Sequence, residues 1–179
     1  VRKNPLPQKY KEALDSKDLF RLTIVGKDPY PQKAVGIPFC KPSWESMCDK
    51  RISGLFVLQS LGLDIKKARA EFYSPVEFFI YLVREKGIAF LNRSYHYLGG
   101  AVLKKHDPQL EDAEKINQKY LQKSQNTVLC GRWQEKHRHQ KDFDNLNYAI
   151  HPDIRNRNLN RASWSEWWSE GALKKKFRL

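Results

Sequence analysis

Phe20-Arg21-Leu22-Thr23-Ile24-Val25, stopped by Gly26 and continued by Lys27-Asp28-Pro29-Tyr30-Pro31, is the stretch whose reading decides the fold. The first six residues form a short apolar run of the kind that suits a strand buried on both faces. The segment after Gly26 is polar, and it holds a Pro on either side of Tyr30, so the chain turns where the strand ends. Similar punctuation recurs three times. Ile88-Ala89-Phe90-Leu91 comes after Gly87 and ends at Asn92, Thr127-Val128-Leu129-Cys130 ends at Gly131, and the weaker Asn147-Tyr148-Ala149-Ile150 ends at His151.

Helical patterns lie between these runs. Ser74-Pro75-Val76-Glu77 reads as a capping box with Pro at the first helical position, and Gly87 is a fitting stop. Phe78, Phe79, Leu82 and Val83 then form an apolar stripe at helical spacing. Asp107-Pro108 opens a second helix, with Leu110, Ile116, Tyr120 and Leu121 expected to face the core. Ser163-Trp164-Ser165-Glu166 starts a last one, expected to end near Gly171. Strands alternating with helices predict a three-layer α/β/α domain around a mainly parallel, four-stranded sheet. In such sheets ligands bind beyond the carboxyl ends of the strands, and three of the four strand ends here carry polar residues suited to chemistry.

The chain has 179 residues, with neither an internal repeat nor a Gly/Ser-rich linker, and reads as a single domain over 1–179. It carries 33 Lys and Arg against 20 Asp and Glu, a formal net charge of +13. That excess favours nucleic acid as partner, because each neutralised phosphate releases condensed counterions. Cys40, Cys48 and Cys130 are odd in number and form no C-x-x-C pair, which argues against a disulfide framework and fits reduced thiols in the cytoplasm. No apolar run approaches the ~18 residues of a membrane span, and the chain opens on Val1 with no signal-peptide pattern. His96, His106, His137 and His139 lack metal-ligand spacing, so neither metal nor cofactor is expected. The default oligomeric state is a monomer.

Taken singly, the polar residues at the strand ends have ordinary structural explanations. Asp28 before Pro29 can begin a turn, Tyr30 and Phe39 can be core aromatics, Asn92 can cap, and His151 can be a satisfied histidine. Their order along the chain says more. Gly26-Lys27-Asp28-Pro29-Tyr30-Pro31 resembles the water-activating loop of family-1 uracil-DNA glycosylases, usually written GQDPYH. Gly36-Ile37-Pro38-Phe39 resembles the element that supplies the base-stacking aromatic, and Pro42-Ser43 the start of the Pro/Ser-rich phosphate loop. Gly87 to Asn92 is similar to the strand ending in the uracil-reading Asn. Gly131-Arg132 stands in the place of the Gly-Ser loop, and His151-Pro152 resembles the opening of the DNA-wedging loop. The resemblance spans about residues 20 to 170, and its variants look closer to the poxviral branch, suggesting a viral or mobile element.

The resemblance implies a monofunctional enzyme that cuts the N-glycosidic bond of a flipped-out deoxyuridine, in single- or double-stranded DNA, and leaves an abasic site. Asp28 and His151 would be catalytic. Lys27, Tyr30, Phe39 and Asn92 would bind the base, and Pro42, Ser43, Gly131, Arg132, Arg155 and Arg157 would contact DNA. Lys27 stands where the family has Gln, Pro31 where it has His, and Arg132 where it has a small Ser. Arg155 falls at the usual Leu wedge, with Ile154 as the neighbouring candidate. The alternative is a weakened or inactive glycosylase-like DNA-binding or scaffold protein, and family precedent admits a protein inhibitor or a replication partner. Lys174-Lys175-Lys176-Phe177-Arg178 reads as a solvated terminus, and of Trp164, Trp167 and Trp168, one is left over for a partner surface.

Overall fold

The computed structural model describes residues 3–98, 108–131 and 145–179. The initial apolar run becomes β1 (Leu22–Gly26), and the other three become β2 (Ile88–Asn92), β3 (Thr127–Cys130) and β4 (Leu146–Ala149). They form one sheet in the order β2-β1-β3-β4, and every pairing is parallel. The sheet is therefore wholly parallel where the sequence suggests mainly so, and helices flank it in three α/β/α layers. Register fixes the geometry of the strand ends. Leu22 stands opposite Ile88 and Gly26 opposite Asn92, so the first and second polar turns emerge side by side. Arg93 and Ser94 continue the ladder past the strand, donating from their amides to the Gly26 and Lys27 carbonyls at 2.8 and 2.9 Å.

β2 lies at the edge of the sheet, yet all five of its residues are buried. An uncovered edge strand presents unpaired backbone groups, so something must satisfy them. Helix α1 (Gln8–Asp15) does so with one side chain. The Tyr10 hydroxyl accepts from the Phe90 amide at 2.9 Å and donates to the Phe90 carbonyl at 3.1 Å. The segment before α1 extends the cover, with the Asn4 amide bonded to the Tyr95 carbonyl at 2.7 Å and an antiparallel bridge from Lys3 to His96.

Between β1 and β2 run α2 (Trp44–Met47), α3 (Ser53–Ser60), α4 (Ile65–Glu71) and α5 (Pro75–Lys86). Helix α5 obeys the expected rules. Ser74 caps it by accepting from the Glu77 amide at 3.3 Å, Phe78, Phe79, Leu82 and Val83 are buried, and Gly87 closes it in the left-handed conformation. Helix α6 (Pro108–Leu121) joins β2 to β3, and Asp107 lies outside the described residues. Leu110, Tyr120 and Leu121 face the core as expected, whereas Ile116 is 37% exposed; its place on the inner face goes to Asn117.

The chain after β4 departs most from expectation. It forms α7 (Ile154–Leu159), α8 (Arg161–Trp168) and α9 (Ala172–Phe177). Asp153 caps α7 and Asn160 caps α8, so the last helical region starts before Ser163. The basic tail is helical and docked, not frayed. Leu173 is fully buried, and the Lys176 ammonium pairs with Glu166 at 3.1 Å while lying 4.1 Å from the centre of the Trp167 ring. Trp164 and Trp168 are buried, whereas Trp167 is half-buried beneath that lysine. Strand β1 begins at Leu22; Phe20 makes only an isolated bridge to Ser124. None of the three cysteines forms a disulfide. Among the described residues no helix is long and apolar enough to cross a membrane.

Tyr10→Phe strands the buried amide and carbonyl of Phe90, and it should lower unfolding free energy by about 1–3 kcal/mol in urea denaturation. Tyr73→Ala, at a side chain 93% exposed, should stay within about 0.5 kcal/mol of the parent.

Candidate active site

The carboxyl ends of β1, β2 and β4 open into one cleft of about 480 Å3. Its wall includes Gly26, Lys27, Asp28 and Tyr30 after β1, Phe39 from the next turn, Asn92 at the end of β2 and His151 after β4. Six residues picked out by their resemblance to a base-binding and catalytic set, Lys27, Asp28, Tyr30, Phe39, Asn92 and His151, are thus brought together from three separate stretches of chain.

Packing at the floor explains how they fit. A Cβ on Gly26 would stand 2.8 Å from Asn92 Oδ1 and 2.9 Å from Phe39 Cζ, closer than real side chains allow. Only glycine at the end of β1 lets the Asn92 amide and the Phe39 ring share that floor. Phe39 itself has φ +64, a left-handed conformation that costs energy in a non-glycine residue. It is held from behind by α3, where a Cβ on Gly54 would overlap the Phe39 carbonyl. The Gly54 amide donates to the Tyr30 hydroxyl at 3.0 Å, and the Lys41 ammonium sits 3.9 Å from the centre of the Tyr30 ring. Tyr30 is thereby fixed at both its edge and its face.

Asn92 is 3% exposed, and its side chain makes no hydrogen bond to any described residue, so its donor and acceptor are both free toward the cleft. Its carbonyl accepts from Asn117 Nδ2 at 2.8 Å, while Asn117 Oδ1 accepts from the Tyr95 hydroxyl at 2.7 Å. Asn117 therefore braces Asn92 from α6, aided by a pair between Glu114 and the buried Arg93 guanidinium. Sequence reading missed this role, since Asn117 looks like one more polar residue beside an apolar stripe. Ser53, Tyr97, Asp153 and Asn156 also line the cleft and were not picked out; the Asp153 cap ahead of a short helix was the available signal.

The electrostatics separate the two titratable groups expected to do chemistry. Burial raises the Asp28 carboxyl above the usual aspartate range, opposed by the Leu98 amide donating at 2.8 Å and by the Lys27 charge. Burial lowers His151 to about 4, with Asp153 opposing and Lys27 and Arg155 reinforcing the drop. At neutral pH the cleft thus holds a neutral imidazole beside an aspartate whose charged form burial disfavours and Leu98 and Lys27 support.

The residues expected to contact DNA are more scattered. Arg155 lines the cleft with its side chain 84% exposed, joined to Asp153 by bonds of 2.9 and 2.8 Å, whereas Ile154 packs partly against the core. Of the two wedge candidates, Arg155 is the one that projects. Arg157 is exposed and stacks over Trp164 at 5.2 Å. Pro42 and Ser43 are exposed beyond the cleft wall, and Ser43 is occupied in capping α2 through the Ser46 amide and hydroxyl. Gly131 ends β3 with its amide bonded to the Ala149 carbonyl at 2.8 Å and does not line the cleft. Arg132 lies outside the described residues. No group of three or more His, Cys, Asp or Glu that could hold a metal occurs among the described residues.

Compared with known proteins, the chain matches no family model and no curated sequence.

His151 gives a test of the electrostatics that needs no substrate. Its folded-state value is depressed, so the stability linked to keeping it neutral is fully present above about 6.5 and is lost as pH falls towards about 4. The unfolding free energy should decline through that window by more than in His151→Gln, a difference of up to ~3 kcal/mol at the acid end by linkage, read from urea denaturation at each pH. Equal acid sensitivity of the two proteins would contradict a half-buried imidazole held neutral.

Proposed function

We propose that this chain is a monofunctional uracil-DNA glycosylase, hydrolysing the bond between uracil and deoxyribose in a nucleotide turned out of the DNA stack. The observation that carries the reading is the shared cleft. An amide with free donor and acceptor, a fixed aromatic ring, an aspartate and a neutral imidazole meet at the ends of parallel strands. Each has work to do in this reaction. Asn92 accepts from uracil N3–H and donates to O4, while cytosine offers the reversed pattern. Phe39 stacks on the ring, and Tyr30, pinned by Gly54 and Lys41, stands beside C5, where a thymine methyl would clash.

Bond cleavage develops positive charge on the sugar and negative charge on the base. Asp28 faces the first and positions water. Neutral His151 donates a hydrogen bond to O2, where the second accumulates. Donors and charges fixed before reaction need no reorganisation, which is why such terms weigh heavily in catalysis. A cleft of about 480 Å3 suits a whole nucleotide more than a bare base. Outside the cleft, the net charge of +13 supports attraction to the phosphate backbone.

Uracil-containing single- and double-stranded oligonucleotides, treated with alkali after incubation, would reveal abasic sites as breaks. Release should fall by about 100-fold or more in both Asp28→Asn and Asn92→Ala. Salt-sensitive DNA binding by the parent protein with no uracil release would instead favour a scaffold that has kept the fold.

A further inference from the structure

The cleft is lined by two cations, Lys27 and Arg155, and two carboxylates, Asp28 and Asp153, around His151. They are not equivalent. Arg155 is committed to Asp153 through a two-pronged pair with bonds of 2.9 and 2.8 Å, one of them the salt bridge. Lys27 forms no salt bridge with any described residue, although it is half-buried. Its main chain is nonetheless fixed, because its carbonyl accepts from the Ser94 amide at 2.9 Å. The Lys27 side chain, lining the cleft and tied up in no ion pair of its own among the described residues, is thus the cation there that is left available to an incoming anion.

We propose that Lys27 is the anion-receiving residue of the cleft, its ammonium taking up the negative charge that develops on the departing base while Asp28 faces the positive charge on the sugar. This rests on the glycosylase reading and adds a residue to it. The C1′–N1 bond breaks with its electron pair leaving on the base, the oxygen of water bonds to C1′, and the proton of water ends on the base. A cation at this position assists the first of those events and is not consumed in it. The field in the cleft agrees with the assignment. The Lys27 charge opposes protonation of Asp28 from the same loop, and with Arg155 of α7 it opposes protonation of His151; Asp153 acts the other way on His151, and the Leu98 amide works with Lys27 on Asp28.

The test uses Lys27→Met, which keeps the length of the side chain without its charge, and Lys27→Arg as the conservative rescue. On a uracil-containing oligonucleotide at fixed salt, Lys27→Met should lower kcat by about 10- to 100-fold with KM within about threefold, and Arg should restore most of the rate. A rise in KM with kcat unchanged, accompanied by a salt dependence shallower by about one phosphate, would place Lys27 on the DNA backbone and overturn the proposal. A second measurement needs no DNA. In an NMR titration of His151, the midpoint should rise in Lys27→Met relative to the parent, and an unchanged midpoint would also overturn it. If the parent releases no uracil, the proposal fails with the glycosylase reading; a shifted midpoint would then show that the fault lay in the reaction assigned and not in the position of Lys27.

Discussion

The cleft exists because β1 ends on a residue without a side chain. Gly26 stands in register with Asn92 on the neighbouring strand, and the space a Cβ would need is filled by the Asn92 amide and the edge of the Phe39 ring. A parallel sheet brings its strand ends to one side; it does not by itself let two bulky groups from different stretches occupy a single floor. Gly26 permits that, and Gly54 permits α3 to press against the back of Phe39 and hold its unfavourable backbone conformation. Alanine at either position would have to displace the aromatic ring, the amide or the helix.

Support for this floor comes from far along the chain. Asn117 of α6 holds the carbonyl of Asn92, Tyr10 of α1 satisfies the open edge of β2 two residues earlier, and Asn156 of α7 donates to the His151 carbonyl at 3.1 Å. Each bond uses a side chain to fix a backbone group whose own side chain, or a near neighbour's, faces the cleft or the sheet. Buried polar groups of this kind stabilise only when fully satisfied, so the network also rigidifies. A site held within fractions of an ångström suits chemistry in which fixed dipoles and charges do most of the work.

The strands and α5 were legible in the sequence because their signals are local: short apolar runs ended by Gly, Asn or His, and Ser-Pro opening an apolar stripe that Gly87 closes. The residues that meet in the cleft were legible through the resemblance of their order along the chain to a known set, since each taken singly has an ordinary structural explanation. The features that escaped notice depend on tertiary partners. Nothing in the sequence around Asn117 shows that a strand end needs its amide, and Ile116 beside it took the apolar position by periodicity alone. The basic tail keeps its lysines in solvent as its composition suggests, but it is ordered as a helix because Leu173 beside it buries itself and Lys176 finds both Glu166 and the Trp167 ring. Ser43, read for phosphate, has a further structural task that the sequence did not reveal, its hydroxyl capping α2.

The most direct test tracks the side-chain amide of Asn92 by NMR while free uracil is added to the folded protein. If these strand ends form a slot for one base, the Asn92 Nδ2 resonances should shift together with the His151 ring and the Gly26 amide. Cytosine at equal concentration should leave all three in place. Uracil that perturbs none of them, or that shifts residues away from the cleft, would contradict the existence of such a slot.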